Sequence, residues 1–273
     1  MKLDLHCHTT CSDGRLSAME LFQLAQKEQM ELMSLTDHDT VKGHEELIPL
    51  MKKAGITYIP GIELTTGRNK ESIHLLGYFN DEGYKNQSFL NALEHLFTSR
   101  NTRLKKMTEL LKLHFGLDID YEELRRKSKG TLTRANLAGA IGEVLPLVKH
   151  DDIFAKYLDR DSPAYVPNLK LSVEEGIRLL KENGAIVVLA HPIIYKKNPL
   201  EELLEYDFDG LECYYSQNDE KMTNTSLRLA KEKNLLITAG SDFHGIPGDT
   251  KHGFLGSIAY DEENLAPFLD HFR

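Results

Sequence analysis

Five short apolar runs in this chain end on histidine or carboxylate. Residues 3–5 lead into His6-Cys7-His8, and residues 32–36 into Asp37-His38-Asp39. Residues 56–64 carry Glu63 at their end, residues 185–190 lead into His191-Pro192, and residues 235–239 lead into Gly240-Ser241-Asp242-Phe243-His244. A sixth run, 72–79, carries His74 near its start. Apolar runs of roughly four to eight residues read as buried strands. Amphipathic stretches at 17–28, 41–54, 173–182, 200–205 and 220–233 lie between most of them. Such alternation predicts an α/β fold with parallel strands. A closed β/α barrel is the expected form, because it gathers every C-terminal strand end on one face, whereas an open sheet spreads them along an edge. Residues 254–259 read as a last strand and 261–272 as a closing helix.

Side-chain direction sharpens the pattern. Residues two apart on an extended backbone point the same way. His6 and His8 therefore share a side, and Cys7 faces the core. Asp13 follows in a Ser12-Asp13-Gly14 turn. Asp242 and His244 repeat the spacing, and Pro192 holds His191 extended. Taken singly, each position reads equally well as a polar strand end. Together they form an imidazole and carboxylate set, which suits Zn, Mn or Fe better than Ca or Mg. About eight such side chains are enough for two or three ions. The remaining histidines, His44, His95, His114, His150, His252 and His271, fall on predicted helices or loops and are expected at the surface or at caps. Asp39 or Thr40 is placed to cap the helix after the second strand.

The alternation stops in the middle. Residues 86–114 form one long amphipathic pattern, followed by shorter helical stretches at 121–127, 134–143 and 153–158, with Gly130, Pro146 and Pro163 as punctuation. Residues 85–165 therefore read as a helical insertion in a barrel made of 1–84 and 166–273. The insertion holds 14 Lys and Arg against 11 Asp and Glu, while the whole chain carries a net charge of −9. An acidic chain with a basic segment suits a small anionic substrate and disfavours a sequence-specific or coating nucleic-acid binder. No apolar run is long enough for a membrane span. With three cysteines and no signal-peptide layout, a cytoplasmic location is expected.

The ordered motifs His6-x-His8 with Ser12-Asp13-Gly14, Thr36-Asp37-His38-Asp39, Gly61-x-Glu63, His74, His191-Pro192 and Ser241-Asp242-Phe243-His244 resemble the polymerase and histidinol phosphatase (PHP) phosphoesterases. The resemblance implies a distorted (β/α)7 barrel with a trinuclear centre of Mn, Zn or Fe. His6, His8, Glu63 and Asp242 would hold the first ion. Glu63, His74 and His191 would hold the second, and Asp13, His38 and His244 the third. Within the family, the Ser-Asp-Gly turn and the helical insertion are similar to the branch of nucleoside 3′,5′-bisphosphate phosphatases and an exonuclease acting from RNA 5′ ends. A phosphate-contacting arginine of that branch matches Arg134, in Thr133-Arg134-Ala135-Asn136, with Asn136 standing where the family often has His. The insertion would then be a substrate-binding cap, with Arg134 and Asn136 toward the substrate. The implied reaction is hydrolysis of a phosphomonoester by a hydroxide bridging two ions, with Asp13, His38, His191, His244 and Arg134 as the catalytic groups. Asp37 or Asp39 would orient a metal-bound histidine. Two other readings stand beside this one: a histidinol-phosphate phosphatase, and a metal-binding module without turnover.

Overall fold

A computed structural model describes residues 1–127, 132–167, 170–249 and 252–272. Gly130 and the side chain of His150 lie outside the described residues. The chain divides into two compact units, Met1–Leu90 with Lys170–Arg273, and Asn91–Leu169.

The first unit is the α/β one. It opens with β1 (Leu3–Asp4), α1 (Ala18–Lys27), β2 (Leu32–Met33), α2 (His44–Ala54) and β3 (Thr57–Tyr58). β4 (Gly61–Arg68) and β5 (Glu71–Phe79) follow, and α3 (Gln87–Phe115) leads out of the unit. Ser17 starts α1 through a reciprocal capping box with Glu20, and Gly55 at φ 72° ends α2. α2 begins after Gly43 with no side-chain cap, so neither Asp39 nor Thr40 plays the capping part expected of it. His44 is a second correction. It is buried, with Nδ1 2.6 Å from the Tyr58 hydroxyl and Nε2 2.7 Å from the Gly61 carbonyl. It lies on the apolar face of α2 with Leu47 and Met51.

β1, β2 and β3 form a parallel sheet. The other sheet has the order β6-β4-β5-β7-β8-β9, using β6 (Leu171–Ser172), β7 (Ala185–Leu189), β8 (Gly210–Tyr215) and β9 (Leu236–Gly240). The β7-β8-β9 pairs are parallel, but β5 runs antiparallel to both β4 and β7. The expected all-parallel order fails there because Asn69 and Lys70, both at positive φ, close a two-residue hairpin. This reversal explains His74. The start of an antiparallel strand lies at the same end as the C-terminal ends of its neighbours. Residues 254–259 do not form the expected strand.

Backbone bonds tie the two sheets together on both sides. Phe243 N–H donates to the His6 carbonyl (3.2 Å) and His8 N–H to that of Phe243 (2.8 Å). On the other side, Asp39 N–H donates to the Glu63 carbonyl (3.0 Å). α7 (Val173–Glu182), α8 (Leu200–Leu203), α9 (Glu220–Glu232) and α10 (Glu262–Leu269) complete the unit. Cys7 faces a core with Leu21, Met33, Leu35 and Phe243.

The regular elements among the second unit's described residues are all helical: most of α3, then α4 (Tyr121–Lys127), α5 (Arg134–Val144), α6 (His150–Ile153) and a π-helical turn at Phe154–Leu158. It has its own core, built on Leu104, Met107, Leu111, Leu137, Ile141 and Leu158. No described helix is long and apolar enough to cross a membrane.

Candidate metal centre

Glu63 is the hub of the site. It enters from β4, fully buried, and its two oxygens face different partners. Oε2 lies 3.2 Å from His6 Nε2, 3.1 Å from His8 Nε2 and 3.2 Å from His38 Nδ1. Oε1 lies 2.7 Å from His74 Nδ1 and 2.9 Å from His191 Nε2. Asp242 Oδ1 stands 3.3 Å from His6 Nε2 and 3.1 Å from His8 Nε2. Asp13 lies 3.3 Å from His244 Nε2 and 3.7 Å from His38 Nε2. The structure thus brings all nine expected donors into one cluster.

Their donor atoms fall into groups of the size that a single ion takes. His6, His8, Glu63 and Asp242 form one, with all four donor atoms within 4.8 Å of one another. His8, Asp13, His38 and His244 form another, and His38, Glu63 and His74 a third. His38 is shared between the last two groups, and His191 stands beside the last, its Nε2 2.9 Å from the Glu63 oxygen that faces His74. Many of these atoms approach closely without making hydrogen bonds. His6 Nε2, His8 Nε2, His38 Nδ1, His74 Nδ1 and Glu63 Oε2 are buried with no hydrogen-bond partner, while His191 Nε2 bonds Glu63 Oε1. Burying one such atom costs about 1–3 kcal/mol. Five in one place make an unfavourable polar core but a fitting donor set for divalent transition metals.

The charges of the cluster shift one another strongly. Burial alone would raise the carboxyl of Glu63, but His38, His74 and His6 hold it well below the usual range. Asp242 is likewise lowered, against its burial, by His6 and His8, and Asp13 by His38, His244 and His8. Burial pushes His38 down to about 4. The same carboxylates raise His6, His8 and His191 against their burial, so a cation that binds there displaces their protons.

Surrounding groups fix these side chains. Glu212, in β8, is fully buried and accepts from His6 Nδ1 (2.9 Å) and from the His191 backbone N–H (2.8 Å). The first bond places the His6 proton on Nδ1 and leaves Nε2 for a cation. The second holds His191, whose φ of 26° and ψ of 63° overturn the extended backbone expected before Pro192 and are strained for a residue with a side chain. Sequence reasoning missed Glu212. The available signal was a carboxylate in the middle of an otherwise apolar Gly210–Tyr215 strand. Tyr215 donates to Asp242 Oδ2 at 3.0 Å, turning Oδ1 toward His6 and His8. Asp37 accepts from Thr9 and Ser12, so it braces the loop after β1 and does not hold an imidazole directly. Asp39 accepts from Thr65 N–H. His252, expected at the surface or at a cap, is partly buried against His244.

In the helical unit, Thr133 and Asn136 form the capping box of α5, with Asn136 Oδ1 accepting from the Thr133 N–H and hydroxyl at 2.8 Å each. Arg134 donates to the Leu158 carbonyl at 3.1 Å and lies 5.9 Å from the centre of the Tyr165 ring. Arg103 lies 5.5 Å from that ring centre and donates to the Val166 carbonyl at 2.6 Å. Burial and the charge of Arg134 both lower the Arg103 pKa.

A profile of the PHP domain matches residues 4–174. The chain belongs to the PHP family. A 5′-3′ exoribonuclease of Haemophilus influenzae is 28% identical over 249 residues, 89% of this chain and 90% of that one. A 3′,5′-nucleoside bisphosphate phosphatase of Chromobacterium violaceum is 26% identical over 255 residues, 90% of this chain and 88% of that one. Among solved structures, one described as a metal-dependent phosphoesterase of Bifidobacterium adolescentis superimposes with a TM-score of 0.80 at 27% identity. It covers 98% of this chain, which covers 96% of it in turn. This PHP protein is a metal-dependent phosphoesterase with an α/β fold, and its His, Asp and Glu clusters are able to hold metal ions.

Proposed function

We propose that this PHP protein hydrolyses phosphate esters on nucleotides, such as nucleoside 3′,5′-bisphosphates or the 5′ ends of short RNA. The convergence of five imidazoles on Glu63, within a cluster of nine donors where five buried atoms lack hydrogen-bond partners, carries this reading. The names of the two curated relatives supply the nucleotide class. We read the linked sheets as one closed barrel of seven strands, β1, β2, β4, β5, β7, β8 and β9, with β3 and β6 outside the ring. The His38–Glu63 and Cys7–Phe243 bridges support that closure.

His6, His8, Glu63 and Asp242 would hold the first ion. Asp13, His38 and His244 would hold the most exposed one, and Glu63, His74 and His191 the remaining one. Two or three bound Mn, Zn or Fe ions would supply an activated water and neutralise charge on the phosphoryl oxygens. The chain's own contribution is placement. Glu212 sets the His6 tautomer, Tyr215 turns Asp242, and Asp37 braces the loop that carries Asp13.

The helical unit is proposed as the substrate-binding cap. Arg103 and Arg134 share one tyrosine ring, with no carboxylate within ion-pair distance among the described residues. Two guanidiniums held together this way favour a bound phosphate, which a planar fork grips through two oxygens. Arg134→Ala is expected to raise KM for a nucleoside bisphosphate about 10–100-fold, on the scale of a lost charged hydrogen bond. An unchanged KM would remove Arg134 from substrate binding. The broader test is phosphate release from nucleoside bisphosphates, mononucleotides, short 5′-phosphorylated RNA and histidinol phosphate. Preference for histidinol phosphate would refute the nucleotide reading.

A further inference from the structure

One more group of metal-type side chains stands at the edge of the centre, and it adds His252 to two of the nine expected donors. Asp242, His244 and His252 each offer a donor atom within 4.8 Å of the others. His252 is backed by a carboxylate, with Nδ1 2.6 Å from Asp249 Oδ2. The ring proton therefore sits on Nδ1, and Nε2 keeps its lone pair. Metal-binding histidines are commonly held in this way, by a carboxylate on the far nitrogen. The His252 ring lies against that of His244, with centroids 4.1 Å apart and planes 26° from parallel.

His244 belongs to two groups at once. Its Nδ1 donates to the Asp242 carbonyl at 2.8 Å, so only Nε2 has a lone pair. That nitrogen faces Asp13 Oδ1 at 3.3 Å in the group with His8 and His38. One lone pair serves one ion at a time, so the two groups are alternatives. The group containing Asp13 is also the one nearest solvent. The Asp13 side chain is 39% exposed and that of His38 18%, while His6, His8 and Glu63 are closed off. His252, stacked on His244, is 23% exposed.

We propose that Asp242, His244 and His252, with Asp249 behind, form an exchange position for a divalent transition-metal ion. The outermost ion of the centre enters and leaves through it, handed over as His244 Nε2 changes partner. The mixed nitrogen and oxygen donors select Mn, Zn or Fe over Ca or Mg. This inference rests on the metal-centre reading given above.

Transfer kinetics test it without substrate. Protein loaded with Zn²⁺ is mixed with a fluorescent chelator, and the stripped protein is then reloaded. The wild type should release one ion faster than the rest. His252→Ala should slow both release and reloading of that ion about tenfold, with the metal content at equilibrium unchanged. Asp249→Asn keeps the ring but loses its anchor, so it should shift both rates the same way by less. Unchanged rates in both variants would overturn the exchange position. So would an ion missing at equilibrium from His252→Ala, which would make His252 a permanent ligand. A wild-type protein that binds no metal would instead bring down the underlying reading.

Discussion

Glu63 and Glu212 show how two buried carboxylates divide the work. Glu63 has one oxygen toward three imidazoles and the other toward two, whereas Glu212 faces one imidazole and one backbone amide. Glu63→Gln should therefore lose metal and activity together, with turnover down by about a thousandfold or more. Retained metal with retained turnover would remove Glu63 from the centre. Glu212→Gln should fold normally and bind metal about 10–100-fold more weakly, the scale for groups that orient a ligand. Titration with a competing chelator reads that difference. His44 gives a prediction about pH. Burial pushes it down to about 4, against 6.5 when unfolded. The unfolded chain therefore takes up a proton that the folded chain refuses. Stability from this group is complete above pH 6.5 and is lost as pH falls toward 4, by on the order of 2–3 kcal/mol. Urea midpoints of the chelated protein at pH 7 and pH 4.5 should drop further for the wild type than for His44→Gln. Equal drops would contradict a neutral buried His44. Residue type alone made the donors legible, because histidines and carboxylates crowd the ends of the apolar runs, although Glu63 and His74 prove to lie inside β4 and β5. Glu212 was not, since it lies mid-strand, and His252 was not, since nothing in a loop sequence tells where its ring will pack.

At the scale of elements, the strand ends matter more than the strands. β1 is only two residues long, yet the chain beyond it keeps pairing, through Cys7 with Phe243, and so carries His6 and His8 to the Asp242 loop. β9 makes room for this contact with a glycine. A Cβ on Gly240 would lie 2.2 Å from His6 Cβ and 2.6 Å from Glu212 Oε1. Gly240→Ala should therefore lower thermal stability and metal content together, although residue 240 offers no ligand. A stable variant with full metal content would show that the backbone there yields. Helix placement was legible from periodicity, while the capping boxes of Ser17 and Ser172 came from the structure. The reversal of β5 was not, because its hairpin turn, Asn69-Lys70, lacks the glycine that usually marks one. That reversal is what brings His74 to Glu63.

At the scale of the whole molecule, an α/β unit with a deeply buried imidazole and carboxylate cluster is paired in sequence with a helical unit that has its own core. The cluster imposes a cost on the metal-free chain, in unpartnered atoms and opposed charges, which bound cations relieve. Metal should therefore stabilise the fold as well as support turnover, by about 1.4 kcal/mol for each tenfold excess of free ion over its dissociation constant. The most direct measurement is metal content, melting temperature and phosphate release on one preparation of wild type and His8→Ala, before and after chelation. The account predicts two or three transition-metal ions in the wild type. Chelation should lower its melting temperature and abolish release of phosphate from nucleoside bisphosphates, and added Mn²⁺ or Zn²⁺ should restore both. His8→Ala should lack metal and activity from the start. Full turnover after complete chelation, or full metal content and turnover in His8→Ala, would contradict it.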